Sequence, residues 1–289
     1  MKIFRKLIKA KAKHKKNLKD LATNSRVAAR VAIENYINEN LYNSSKYQNP
    51  KKLNRFEFQC HSQNGEDGII AEIFRRIGVT NQFFVEFGAS TNGLENNTTY
   101  LLLKGWKGGA WIEGNPKDVE RIKRKYRTFV NNKKLSVRCA FVTAENIEGL
   151  FKELDIPKEF DLLSVDIDGN DYWVWKAITH YRPRVVVIEY NPSFDSDLKW
   201  VMKYNPQHVW NGTIYYGASL KSLEILGAQK GYKLIGCNFT GANAFFVRED
   251  LVKDKFLEPF TSENHYEPPR YYLLRTVGHE RDFGDFESI

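Results

Sequence analysis

The chain is poor in the residues that would place it in several large protein classes. It has three cysteines in 289 residues, Cys60, Cys139 and Cys237. They are far apart, odd in number and without metal-ligand spacing. A disulfide scaffold and a cysteine-zinc site are therefore excluded, and free thiols in a reducing, cytoplasmic compartment are expected. No apolar run approaches the ~18 residues of a bilayer span. The first residues lack the apolar core and small-residue cleavage site of a secretory signal. No internal repeat is present, which excludes solenoids and propellers. The glycine-rich GxGxxG fingerprint of dinucleotide folds is missing too.

Positive charge is also scarce where a nucleic-acid-binding body would need it. The net charge is +9. Residues 1–55 hold 15 Lys and Arg against 3 Asp and Glu, leaving 29 against 32 in the rest. The basicity belongs to an N-terminal arm, and the body is nearly neutral. Nucleic-acid binding is therefore disfavoured.

What is present supports a large buried core: 42% hydrophobic and 14% aromatic residues. Residues 1–54 read as a basic helical arm and linker. In "MKIFRKLIKAKAKHKKNLKDL", Ile3, Phe4, Leu7 and Ile8 recur at helical spacing among lysines. Such a helix stays solvated, or lies on an anionic membrane surface or acidic partner through residues 1–20, making the protein peripheral there, or contacts RNA. A second helical pattern follows in "SRVAARVAIENYINENL", then a polar linker over 42–54.

From Arg55 the pattern alternates. Helices are predicted over 65–78, 96–106, 116–130, "AENIEGLFKEL", "DYWVWKAITHY" and "SLKSLEILGAQKGY". Strands are predicted over 82–90, 108–116, 135–143, "FDLLSVDID" and 184–191. Two further strands, "YKLIGCNF" and "ANAFFVRED", are joined by a short glycine turn and should pair antiparallel. The reading is an α/β domain over 55–255 with a mostly parallel seven-stranded sheet and a C-terminal antiparallel hairpin. Residues 256–289 form an extension packed on or trailing it.

In open α/β sheets ligands sit beyond the carboxyl ends of the strands. The carboxylates at those ends are thus the candidates. Glu86 stands inside an apolar strand, where burial is costly unless it meets a loop or a ligand. Gly88, just after that strand, allows close backbone approach. Glu113 ends the second strand, 25 residues after Gly88, where a carboxylate can accept both hydroxyls of a ribose. Ala140 and Phe141 end the third strand and either flank an adenine face or pack in the core.

"DLLSVDIDGNDYWVW" ends the fourth strand on Asp166, Asp168 and Asp171, with Gly169 among them. Asp171 suits a helix cap. Glu189 and Asn191 end the fifth strand. Asp166, Asp168, Glu189 and Asn191 can form an all-oxygen set for Mg²⁺ or another divalent cation. Without metal, Asp166 or Glu189 can act as a base, each raising the other's pKa.

The long segment after strand five reads as a lid or substrate wall. Trp200, Tyr204, Trp210, Tyr215 and Tyr216 either give it stacking surface or serve packing alone, and Lys203 can meet an anion. His208 is its candidate base. His61 and His180 read as surface or satisfied side chains.

These residues carry a resemblance. The sequence is similar to the class I S-adenosylmethionine-dependent methyltransferases, most of all the FkbM-type group. That group's fourth strand reads D-x-D/E-G, matched here by Asp166, Asp168 and Gly169 in "DIDGND". "SQNGED" (62–67) resembles its leading motif, and "GYKLIGCNFTGANAFFV" its terminal hairpin. The likeness covers roughly residues 60–250. It implies a Rossmann-like fold and S-adenosyl-L-methionine as cofactor. Glu86, Gly88, Ala89 and Ser90 would surround the methionine part and Glu113, with Gly114, the ribose. Gln63 and Asp67 would either close over the cofactor or cap a helix. Asp166 would also contact the cofactor, and Asp166, Asp168, Glu189 and His208 would serve catalysis. The acceptor would be a hydroxyl on a carbohydrate or similar small metabolite. "FGASTNG" departs from the fuller glycine pattern of many methyltransferases. Two rival readings are a nicotinamide-dependent oxidoreductase and a non-catalytic scaffold that uses the basic arm.

Overall fold

The computed structural model describes residues 2–89 and 94–273, with side chains from Lys11 onward apart from Ala12. Its centre is one seven-stranded sheet in the order β3-β2-β1-β4-β5-β7-β6. The strands are β1 (Phe83–Phe87), β2 (Gly108–Glu113), β3 (Leu135–Cys139), β4 (Glu159–Val165), β5 (Arg182–Glu189), β6 (Tyr232–Cys237) and β7 (Asn243–Arg248). The first five pair parallel. β7 runs antiparallel to both β5 and β6. This is a Rossmann-like, mostly parallel α/β sheet with the expected terminal hairpin.

Strand side chains alternate between faces, so each strand feeds two cores. Phe87, Leu163, Val165 and Ile188 face α6 (Ile147–Glu153), α7 (Asp171–Ala177) and α8 (Leu220–Gln229), meeting Phe151, Trp175 and Leu223. Phe84, Trp111, Leu162 and Val187 face the other way. There they meet Ile73, Leu101 and Ile122 of α2 (Glu66–Ile77), α3 (Thr99–Leu103) and α4 (Pro116–Lys125). With both faces covered, the run "VVVIE" of β5 is buried almost throughout, as parallel strands require.

Several elements are shorter than the pattern suggested. The helix expected over 116–130 divides into α4 and α5 (Arg127–Asn131). Tyr126 breaks it with φ −100° and ψ 23°, its ring held edge-on to Trp111 at 4.8 Å. The two N-terminal helical patterns form a single helix, α1 (Lys2–Ile37). No glycine or proline interrupts it.

Between α1 and Arg55 the chain lies against the hairpin. Leu41, Tyr47 and Phe239 share a small apolar cluster with Ile37 and Leu273. The Asn54 amide donates to the Cys237 carbonyl at 2.8 Å. From the other end, Glu267 is fully buried and accepts from Tyr47, Lys46 and Arg270. The Tyr190 hydroxyl donates to the Glu267 carbonyl. Residues before and after the sheet are thus tied to one buried carboxylate. The short helices α9 (Glu249–Val252) and α10 (Ser262–His265) lie along this return.

Candidate active site

The strand order reverses between β1 and β4, and there the two chains nearly touch. Gly88 follows β1 with φ +70°. A Cβ at this position would stand 1.7 Å from the Asp166 carbonyl oxygen. Glycine is required both by the left-handed backbone and by this approach. Beyond it opens a cavity of about 610 Å³.

The cavity collects side chains from distant parts of the chain. Glu86, Gly88 and Ala89 line it from β1, Glu113 and Gly114 from β2, and Ala140 and Phe141 from the end of β3. Asp166 and Asp168 follow β4, Glu189 ends β5, and Gln63 and His208 come from loops. Asp67 and Asn191 are not in its lining. Ser90 lies outside the described residues.

Glu86 is 3% exposed. It accepts the Asn97 amide at 2.7 Å, the Thr98 amide at 3.2 Å and the Thr98 hydroxyl at 2.5 Å. Trp111 in turn donates to that hydroxyl at 2.8 Å. The carboxylate therefore holds the loop that follows β1, while still lining the cavity. Burial pushes it up to about 7, against the pull of those hydrogen bonds. Its folded pKa is thus above its unfolded one. Across pH ~4.5–7 only the folded state keeps this proton, so stability falls as pH rises. The wild type is expected to lose stability with pH more steeply than Glu86→Gln in this window, by up to about 1.4 kcal/mol per pH unit. Denaturation curves at several pH values check this, and parallel curves would refute it.

Glu113 accepts the Asn115 amide at 2.7 Å. Asn115 caps α4 by accepting from Lys117, with Pro116 at the first helical position. Burial raises the Glu113 pKa. The Phe141 ring lies against Gly114, where a Cβ would meet it at 3.4 Å. The ring is half exposed, leaving it free to stack. Neither residue is consumed by the core.

The acidic turn after β4 is held from one side. Asp171 accepts the Ile167 and Gly169 amides, each at 2.9 Å. It ties the turn, and Asp168 is left outside that bonding with φ +54°. Asp166, Asp168 and Glu189 each offer an oxygen within 4.8 Å of the others. Burial, then Asp171, Asp168 and Glu86, hold the Asp166 pKa well above the ordinary range. Burial, then Asp166, does the same to Glu189. One Glu189 oxygen, Oε2, is buried with no hydrogen-bond partner. So is Nε2 of His208, whose ring packs on Gly169 and leaves no room for a Cβ there.

Two expected site residues serve the scaffold. Asp67 accepts the amides of Cys60, His61 and Ser62 at 2.7, 2.7 and 2.9 Å. The Ser62 hydroxyl accepts the Asp67 amide in return, a reciprocal cap at the start of α2. Asn191 donates to the carbonyls of Ile214 and Tyr216 and accepts the Ser193 amide. It anchors the long segment after β5. His180 pairs with Glu148, away from the cavity.

That segment forms one wall. Val209 and Trp210 line the cavity beside His208. Asn170 donates to the Asn205 carbonyl at 2.7 Å and Trp173 to the Met202 carbonyl at 2.8 Å, so the wall is fastened to the acidic turn and α7. Tyr204 bonds Glu145, Trp200 packs on Phe194, and Lys203 is exposed. Sequence reading missed Asn97, Asn115, Asp118 and Asn170 in the lining. Asn170 was visible inside "DIDGND"; the others carried no motif.

No protein-family model matches the chain, and no curated protein does. Among solved structures it is similar to the O-methyltransferase from Bacillus cereus in complex with SAH, at 16% identity over 55% of this chain and 72% of that one, with a TM-score of 0.34. It is similar to an S-adenosylmethionine-dependent methyltransferase from Clostridium acetobutylicum, at 13% identity over 74% and 96%, with a TM-score of 0.40. A third is StiE O-MT, at 13% identity and a TM-score of 0.35, covering 57% of this chain and half (50%) of that one. These likenesses concern the course of the backbone; the chemistry of the site stands on this chain's own residues.

Proposed function

We propose that the chain is an S-adenosylmethionine-dependent methyltransferase of the FkbM-like kind, acting on a hydroxyl of a carbohydrate or similar small molecule. One observation carries the reading: Glu86, Glu113 and Asp166, from three parallel strands, meet in a single cavity at the reversal of strand order. Ligands of open α/β sheets bind at that place.

A bound S-adenosylmethionine supplies an electrophilic methyl group on a sulfonium. Glu113 would accept the ribose hydroxyls, and Phe141 would stack on the adenine. Gly88 and Ala89 let the backbone approach the methionine part. The acceptor hydroxyl must lose a proton as the methyl group arrives. Asp166 and Glu189, both raised well above the ordinary carboxylate range by burial and by neighbouring carboxylates, suit that task. Trp210 and Tyr215 on the wall offer faces on which a sugar ring can stack.

Asp166, Asp168 and Glu189 also fit a divalent cation. Their oxygens are hard donors within 4.8 Å of one another, and the unpartnered Glu189 Oε2 leaves one of them free to ligate. Such a cation would polarise the acceptor oxygen. Asn191 would contribute only by holding the wall.

Isothermal titration with S-adenosylhomocysteine and with NAD tests the cofactor. Micromolar binding of the first and none of the second is expected. Binding of NAD alone would make the protein an oxidoreductase, and binding of neither would favour a scaffold. Transfer assays in excess EDTA test the cation, and full activity there removes it.

A further inference from the structure

We propose that α1 and the outer edge of the wall dock the protein onto a bilayer surface rich in anionic headgroups. This goes beyond the methyltransferase reading and does not depend on it. α1 has 36 residues, so it is about 54 Å long. Every described side chain from Lys11 to Ala29 is exposed. Packing against the body is confined to the end, where Ile33, Tyr36 and Ile37 join the hairpin cluster. A helix this exposed gains little stability from tertiary contact and needs a partner to favour it.

Charge and apolar exposure together select the partner. Residues 2–19 contain nine Lys and Arg and no Asp or Glu. A second copy laid along this stretch would set like charges against each other, which disfavours self-association. Leu18 and Leu21, three apart on one helical face, are 52% and 66% exposed. RNA has no use for exposed leucines, whereas a bilayer interface buries them beside snorkelling lysines.

A second surface continues from the root of the helix. Tyr36 meets Tyr272 edge-on at 5.8 Å. The neighbouring Tyr271 hydroxyl is 3.1 Å from that of Tyr216, and Tyr216 packs on Trp210. Next to them Val209 and Ile214 are 72% and 64% exposed. An aromatic and aliphatic rim thus runs from α1 to the cavity mouth, the composition that settles at membrane–water interfaces. Docked in this way, the cavity would open toward the lipid surface and take its acceptor from there. No described helix is long and apolar enough to cross the membrane.

The test is co-sedimentation of the full chain with vesicles. Phosphatidylcholine vesicles with ~30 mol% phosphatidylglycerol are compared with pure phosphatidylcholine at ~50 and ~500 mM salt. Binding is expected only to the anionic vesicles, and it should be lost at high salt. Replacing Lys11, Lys13, Lys15 and Lys16 by Glu should weaken it about 100-fold or more. The triple change Leu18→Ser, Leu21→Ser and Ile214→Ser should weaken it about tenfold with the salt dependence unchanged. Unchanged melting temperatures would show that both variants are folded. The proposal is overturned by equal binding to neutral vesicles, by binding that survives the four Glu substitutions, by tighter binding to a single-stranded RNA, or by a stable dimer that ignores vesicles.

Discussion

Asp166→Asn is expected to abolish most methyl transfer while making the protein no less stable. The two effects have one cause. Asp166 lies where burial and four carboxylates, Asp171, Asp168, Glu86 and Glu66, all oppose its charge. An uncharged amide of the same shape relieves that repulsion, so stability should hold or rise. The amide can neither take a proton nor hold a cation well. The kcat/KM for the proposed hydroxyl acceptor should fall about 10²–10⁴-fold. S-adenosylhomocysteine affinity should stay within about tenfold, because Glu113 and Phe141 are untouched. Radiolabelled methyl transfer, calorimetry and thermal denaturation supply the three readings. Transfer within about threefold of wild type would remove Asp166 from the chemistry. A large loss of stability would make it a structural residue.

The sheet was legible because β-branched and aromatic runs alternate with helical spacing, and because the "TGA" turn limits the last pair to an antiparallel hairpin. The strand-end carboxylates Glu86, Glu113, Asp166 and Glu189 were legible for a similar reason: a charge that closes an apolar strand must meet something. What it meets is set by tertiary closure, and there local sequence is silent. Asp67 and Asp166 are both aspartates beside a buried element, yet the first accepts three backbone amides and the second faces a cavity. Asn191 reads as a ligand donor but spends its amide on the wall. The role of Glu86 as anchor of the Asn97–Thr98 loop depends on how a chain eleven residues away folds back. His208 reaches the acidic turn by packing on Gly169, nearly forty residues earlier.

The two ends of the sheet divide the work. At the carboxyl ends, carboxylates crowd together at a cost in stability, as expected where chemistry takes precedence. At the amino ends, charge is paired and consumed. Asp161 of β4 and Arg184 of β5 are both buried and meet at 2.6 Å. Asp161 also accepts the Thr80 amide at 2.9 Å and the Gln82 amide at 2.7 Å, and Arg184 donates to the Gly78 and Ile77 carbonyls. The loop between α2 and β1 is stapled to β4 and β5 by this pair. It sets the point from which β1 runs to Glu86 and Gly88.

Asp161→Ala should therefore be among the most damaging changes outside the cavity. It leaves a buried guanidinium without its counter-charge and two amides without acceptors. Removing one partner of such a pair costs about 3–5 kcal/mol, or roughly 6–20 °C in melting temperature for a domain of this size. Arg184→Met alone should cost a similar amount, because it leaves the carboxylate buried. The double variant Asp161→Leu with Arg184→Met should recover much of the loss, since it leaves no charge behind. Thermal denaturation of the two single variants and the double one completes the cycle. If Asp161→Ala melts within about 2 °C of the wild type, or if the losses simply add, the pair is not what holds β1 in place. The position of the cavity would then rest on the pairing of β1 with β2 and β4 and on the packing of its apolar side chains.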